Sequence, residues 1–337
     1  MKFHRPLGSK YFKIVATDKL SNGNFIVCGN LQHEILDPNT AFLMMVGANG
    51  QLIWTKEYPE RSYSVLDVGI VSDSGFILTG YSTKAGRPDS LFLLKTDSIG
   101  EIQWEQTYGD IKDTRGNQVI ECRNGGFSVI GRNKNGPGNQ FDFWLVRTDS
   151  LGNLIWTRKY GDGTPDIGYS IVETENGGFI IAGSGAFPGS SDGYSDATVI
   201  KTDSLGFPLW IKSYEGPDHG YAYAIIPTSD NGYIFCGQLN DSLTAGYTGY
   251  LCKISSSGQL IWSKSFREGA YIVLNSIVEA PDKGFAISGY IKKYTNSYAA
   301  VYVLRTDSIG NILSSYLEGE IYWNENQNCL LDSNELK

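Results

Sequence analysis

Residues 148–161 read TDSLGNLIWTRKYG, and this stretch decides the fold. Asp149-Ser150-Leu151-Gly152 fits a type I turn with Asp first and Gly last, because glycine accepts the left-handed conformation at the end of such a turn. The chain then enters a run of aliphatic, aromatic and β-branched residues, carries Trp156 and ends at Tyr160-Gly161. That composition is a strand signature. The turn glycine returns at Gly50, Gly100, Gly152, Gly206, Gly258 and Gly310, at spacings of 50, 52, 54, 52 and 52 residues. A second marker, glycine followed by an aromatic residue, keeps the same period through Gly75-Phe76, Gly126-Phe127, Gly178-Phe179, Gly232-Tyr233 and Gly284-Phe285, with Gly23-Asn24-Phe25 as the first copy. Two independent markers with one period mean an internal repeat.

Each copy reads as four short strands. In the fourth, strand a covers 169–174, an Asn-Gly-Gly turn leads to strand b at 179–183, a variable loop spans 184–196, strand c covers 197–202, and strand d follows the turn at 208–214. Val, Ile, Phe, Tyr and Trp fill these runs and Gly, Asn, Asp and Ser bound them, as hairpins require. Four antiparallel strands repeated six times predict an all-β fold, a six-bladed β-propeller over residues 1–319. Radial repetition also leaves only short, protected sheet edges. Trp54, Trp104, Trp156, Trp210 and Trp262 each stand four residues after a turn glycine. Five equivalent copies predict a packing role between neighbouring blades, where a large aromatic buries about 150–250 Å².

The composition sets outer bounds. The chain has 337 residues, 40 glycines, 21 tyrosines and a net charge of −8. Disorder needs few aromatics and a high charge density, so it is excluded. Nucleic acid and anionic membrane need a basic footprint that this chain lacks. No apolar run reaches the 18 residues of a membrane span, so no membrane insertion is expected. The opening MKFHRPLG has no apolar core of a secretory signal. Either the protein is cytosolic or this is a mature or trimmed chain. Cys28, Cys122, Cys236, Cys252 and Cys329 make an odd number without a CxxC. Cys236 and Cys252 fall on neighbouring strands, as cross-strand partners or as two buried small hydrophobes.

The sequence DSIGEIQW at 97–104 resembles the tryptophan-docking repeat of quinoprotein-type (PQQ-like) propellers, with a turn one residue shorter. The GGFIIAG and KTDSLG patterns around residues 177–206 are similar to propellers in large secreted or surface proteins of Bacteroidetes, often exported by the type IX system. The resemblance covers about residues 2–319 and implies a propeller module, likewise secreted or displayed on the cell surface. A quinone cofactor is disfavoured, since the adjacent cysteine pair of the quinoprotein dehydrogenases is absent.

The last copy departs from the pattern: Ser314 stands in the Trp position. Residues 3–8, FHRPLG, align with 156–161, WTRKYG, with Arg5 in the place of Arg158 and Leu7 in that of Tyr160. They are expected to supply the missing outer strand beside strand c of that copy. Pro6 suits an outermost strand, where a missing N–H costs little.

Binding residues concentrate on variable loops, so the b–c loops and d–a connections form the candidate face. Asp113, Asp166, Asp218, His219, Tyr221, Tyr194 and Tyr247 are the candidate ligand-binding residues, with Tyr81, Arg115 and Phe141 beside them. Tyr, Asp and Gly together suit a glycan or a protein partner. Catalytic motifs are missing: there is no GxSxG, no HExxH and no phosphate loop. The main alternative, a polysaccharide-acting hydrolase or lyase, would use a carboxylate pair such as Asp166 and Asp218. The expected activity is therefore non-catalytic: recognition or scaffolding by a monomeric module of a larger chain.

From residue 320 the composition changes. Asn324, Asn326, Asn328, Asp332 and Glu335 fall at positions 1, 3, 5, 9 and 12 of a calcium loop. This resembles the opening of a calcium-dependent B-type (SdrD/Cna-B-like) surface domain, with Asn324 replacing the usual Asp and Cys329 the turn glycine. Residues 320–337 are expected to be either a weak Ca²⁺ site at the start of a following domain or a polar linker.

Overall fold

The repeated turn forms as its residues demand. Gly152 takes φ +80° and Gly206 φ +78°. Asp149 Oδ1 accepts the amides of Leu151 at 2.9 Å and Asn153 at 2.8 Å, and Asp97, Asp203 and Asp307 accept the equivalent pairs. The computed structural model describes residues 11–32, 40–59, 62–83, 87–109, 113–134, 140–161, 165–187, 195–214, 219–241, 246–267, 271–292, 300–313 and 317–320. All regular structure among them is β-strand.

Strands β1 (Tyr11–Lys19), β2 (Phe25–Gln32), β3 (Thr40–Val46) and β4 (Leu52–Tyr58) pair in that order as one antiparallel sheet. The next sheet holds β5 (Tyr63–Ile70), β6 (Phe76–Ser82), β7 (Ser90–Thr96) and β8 (Ile102–Tyr108). A third holds β9 (Thr114–Glu121), β10 (Phe127–Lys134), β11 (Phe141–Thr148) and β12 (Leu154–Tyr160). A fourth holds β13 (Ile167–Glu173), β14 (Phe179–Gly185), β15 (Asp196–Thr202) and β16 (Pro208–Tyr214). Then come β17 (Gly220–Pro227), β18 (Tyr233–Asp241), β19 (Gly246–Ile254) and β20 (Leu260–Phe266), and finally β21 (Tyr271–Glu279), β22 (Phe285–Lys292), β23 (Ala300–Thr306) and β24 (Leu317–Glu320). A single parallel bridge, Tyr247 to Tyr271, joins these last two groups. The first strand of each group packs on the first strand of the next, from β1 on β5 through to β17 on β21. First strands are therefore innermost, and the architecture is that of a β-propeller.

The recurrent tryptophan does pack between sheets. A Cβ built on Gly152 would lie 2.7 Å from the Trp104 ring, and one on Gly206 would lie 2.8 Å from Trp156. Only glycine leaves room there, besides satisfying the positive φ. The next sheet's phenylalanine completes the joint, with Trp104 and Phe127 centroids 5.7 Å apart. Tyr108 adds a hydrogen bond from its hydroxyl to the Gly152 carbonyl at 2.6 Å. A second fastening ties the a–b turn to strand c within a sheet: Lys95 Nζ meets Asp73 Oδ2 at 2.8 Å, and Lys253–Asp230 and Arg305–Asp282 repeat it.

The four described cysteines are free and buried. Cys236 packs toward the following sheet and Cys252 toward the preceding one, so the pair does not bridge. The outer edge of β23 differs from the sequence expectation. After the turn, Ile312 bridges Thr306, and β24 then pairs Ala300–Val303. The chain's own continuation thus occupies the edge assigned to residues 3–8, which lie outside the described residues.

Candidate functional site

A β-bulge recurs at one place in every first strand. In β13, Gly168 pairs with Gly183 and Ser170 with Ala182, which leaves Tyr169 without a cross-strand partner. The same skip frees Val15, Leu66, Asn117, Tyr223 and Asn275 in the other copies. An extra residue in a strand re-aims its side chain, and bulges cluster at functional sites for that reason. Because first strands are innermost, this position varies where the copies converge: apolar in the first two, polar or aromatic in the others.

Two of these residues seed an aromatic belt. The Tyr169 and Tyr223 rings meet edge-on at 5.0 Å, and Tyr221 stacks on Tyr223 at 5.8 Å. Tyr247 meets Tyr271 at 5.0 Å. Burial pushes the Tyr223 phenol up, and its neighbours Tyr169, Tyr221, Tyr290 and Tyr247 add to the shift. None of the hydroxyls of Tyr169, Tyr221, Tyr223, Tyr247, Tyr271 or Tyr290 forms a hydrogen bond among the described residues. A buried phenol ordinarily finds a partner. These six stay partly solvent-accessible, so their open valences face water or a ligand.

The belt continues into an arginine pair. Arg115 on β9 lies directly across from Arg132 on β10. Arg115 Nη2 holds Asp89 Oδ2 at 2.6 Å, while its Nε is 3.5 Å from Asp113 Oδ1. Arg132 Nη2 reaches the same Asp113 oxygen only at 4.0 Å. Each guanidinium lies over a ring, Arg115 over Tyr81 at 4.0 Å and Arg132 over Phe141 at 4.2 Å. Burial lowers the Arg132 pKa, and the like charge of Arg115 lowers it further.

The sequence candidates divide accordingly. Tyr221, Tyr247 and Asp113 fall in or beside this belt. Asp166 is fully buried, and its Oδ1 accepts the Ala186 amide at 3.0 Å, so it braces the chain leaving β14. His219 does similar work: its Nδ1 accepts the Ser195 amide at 3.2 Å. Asp218, Tyr194 and the proposed calcium ligands Asn324, Asn326, Asn328, Asp332 and Glu335 lie outside the described residues. Tyr169, Tyr223, Tyr271, Tyr290 and Arg132 were not singled out by sequence reasoning. One signal pointed to two of them: ten residues before the marker's aromatic the copies carry Val15, Leu66, Asn117, Tyr169, Tyr223 and Asn275, a variable column.

No protein-family model and no curated protein matches the chain. Solved structures do resemble it. A protein of unknown function from Bacteroides caccae aligns at 10% identity and TM-score 0.52, covering 82% of this chain and 89% of that one. Sqt1 from Chaetomium thermophilum aligns at 9% identity and TM-score 0.52, covering 91% and 72%. At such identities the likeness is one of fold.

Proposed function

We propose that this propeller is a non-catalytic recognition or scaffold module of a secreted or cell-surface protein, taking a glycan or protein partner at the tyrosine–arginine belt. The observation that carries the reading is the set of six partly exposed phenols, clustered on or beside the converging strands, whose hydroxyls have no partner among the described residues. A cluster that served packing alone would bury or satisfy them. The hairpin end supports the assignment by contrast, since its repeated side chains are fastened to one another.

Affinity electrophoresis in gels cast with a panel of polysaccharides tests this. At least one polysaccharide should retard the protein, Tyr169→Ala/Tyr223→Ala should run unretarded, and no new reducing ends should appear. Release of reducing ends would contradict the non-catalytic reading. Equal retardation of the double variant would move the binding site away from the belt.

A further inference from the structure

Arg132 is a partly buried charge left unsatisfied among the described residues. Its guanidinium carries five N–H donors, yet it forms no hydrogen bond among the described residues, and its ion-pair neighbour Asp113 stands at 4.0 Å. The Nε atoms of Arg115 and Arg132 and the Oδ1 of Asp113 are all buried without a hydrogen-bond partner. Asp113 lies between two arginines and reaches neither at hydrogen-bonding distance, while Asp89 is committed to Arg115 at 2.6 Å. One guanidinium edge is therefore left over. Phe141 covers the face of Arg132 and leaves that edge as the reactive part.

A planar guanidinium edge matches a carboxylate, which accepts two parallel N–H bonds. The flanking Asp89 and Asp113 disfavour a dianion such as phosphate by like-charge repulsion. Strand β10, which carries Arg132, packs on β13, which carries Tyr169, and the two side chains are close enough for each to shift the other's ionisation; Tyr169 meets Tyr223, on which Tyr221 stacks. Ring faces suit the C–H face of a pyranose, and unpartnered phenols suit its hydroxyls. A sugar bearing a carboxylate offers both within one residue, whereas an acidic peptide side chain offers only the first.

We infer that the belt is a subsite for an acidic saccharide, whose carboxylate docks on Arg132 and whose ring lies along Tyr169 and Tyr223. This rests on the recognition reading above, and it specifies the ligand's charge. The test is an array of uronate- and sialate-bearing oligosaccharides, each printed beside its methyl ester, together with an acidic hexapeptide. Any glycan retained is followed by calorimetry with wild type, Arg132→Gln, Arg132→Lys and Tyr169→Phe, all checked for an unchanged melting transition. The expected result is at least tenfold preference for the acid over its ester. Arg132→Gln should abolish that preference while leaving ester binding intact, Arg132→Lys should restore it only partly, and Tyr169→Phe should weaken both forms several-fold. Equal binding of acid and ester would overturn the charge assignment and leave the recognition reading standing. Retention of the hexapeptide with no retained saccharide would overturn the saccharide. An array with nothing retained would overturn the inference and the glycan reading together.

Discussion

Two sets of tyrosines divide this molecule. At the hairpin end Tyr58, Tyr108, Tyr160 and Tyr214 each donate a hydroxyl to the turn-glycine carbonyl of the next sheet, at 2.9, 2.6, 2.7 and 2.9 Å. On or beside the converging first strands, Tyr169, Tyr221, Tyr223, Tyr247, Tyr271 and Tyr290 donate to nothing among the described residues. Burial pushes phenols of both sets up, so desolvation does not separate them. Hydrogen-bond closure does. Residues whose valences are closed hold the structure together, and residues whose valences are open are available for something else.

Trp156→Ala removes the ring seated on Gly206 and should cost about 3–5 kcal/mol, measured by urea unfolding. A loss below about 1 kcal/mol would remove the tryptophan from the packing scheme.

The axis offers a test that depends on pH. Asp67 Oδ2 accepts the Val119 amide of the next inner strand at 2.9 Å, as Gln118 Oε1 accepts Ile171 and Ser170 Oγ accepts Ile225. Burial raises the Asp67 carboxyl to about 7 from 3.8, outweighing the amide bonds that lower it. Because the folded pKa lies above the unfolded one, the penalty is absent below pH 3.8, grows between 3.8 and about 7, and is complete above. Asn retains the acceptor oxygen. Asp67→Asn should therefore stabilise by a few kcal/mol at pH 8, by less at pH 5 and not at all at pH 3.5. A gain independent of pH would remove the buried carboxylate as its cause.

Tyr160→Phe should cost about 1 kcal/mol, because the Gly206 carbonyl loses its donor inside the joint. Tyr223→Phe should change stability by less than about 0.5 kcal/mol, because no bond is lost. Equal costs would erase the distinction.

The sequence made the body legible and left the site mostly hidden, for one physical reason. Repeated turn chemistry is local, so the turns and the glycine–aromatic markers located strands within a residue or two: 208–214 was expected where β16 runs, and 197–202 where β15 begins one residue earlier. The tryptophan's role could be read because five copies do the same job. A bulge is a property of how two strands pair, and it breaks the alternation by which a strand is recognised. Tyr169 therefore read as the first residue of a strand, when it is the residue that strand leaves unpaired. Asp166 misled in the opposite way, since a polar residue in a variable connection can be buried and bonded to backbone. The edge of β23 was misjudged because Ser314 hid the return of the chain to β-pairing at Leu317.

On the proposed reading, open valences mark the binding belt and closed ones mark the joints. A single paired measurement tests it: glycan-array signal and melting temperature for Tyr169→Phe/Tyr223→Phe beside Tyr108→Phe/Tyr160→Phe. The first variant should keep its melting temperature and lose its glycan signal, while the second should melt lower and keep its signal. Loss of glycan signal in the second variant to the same degree, or its full retention in the first, would contradict it.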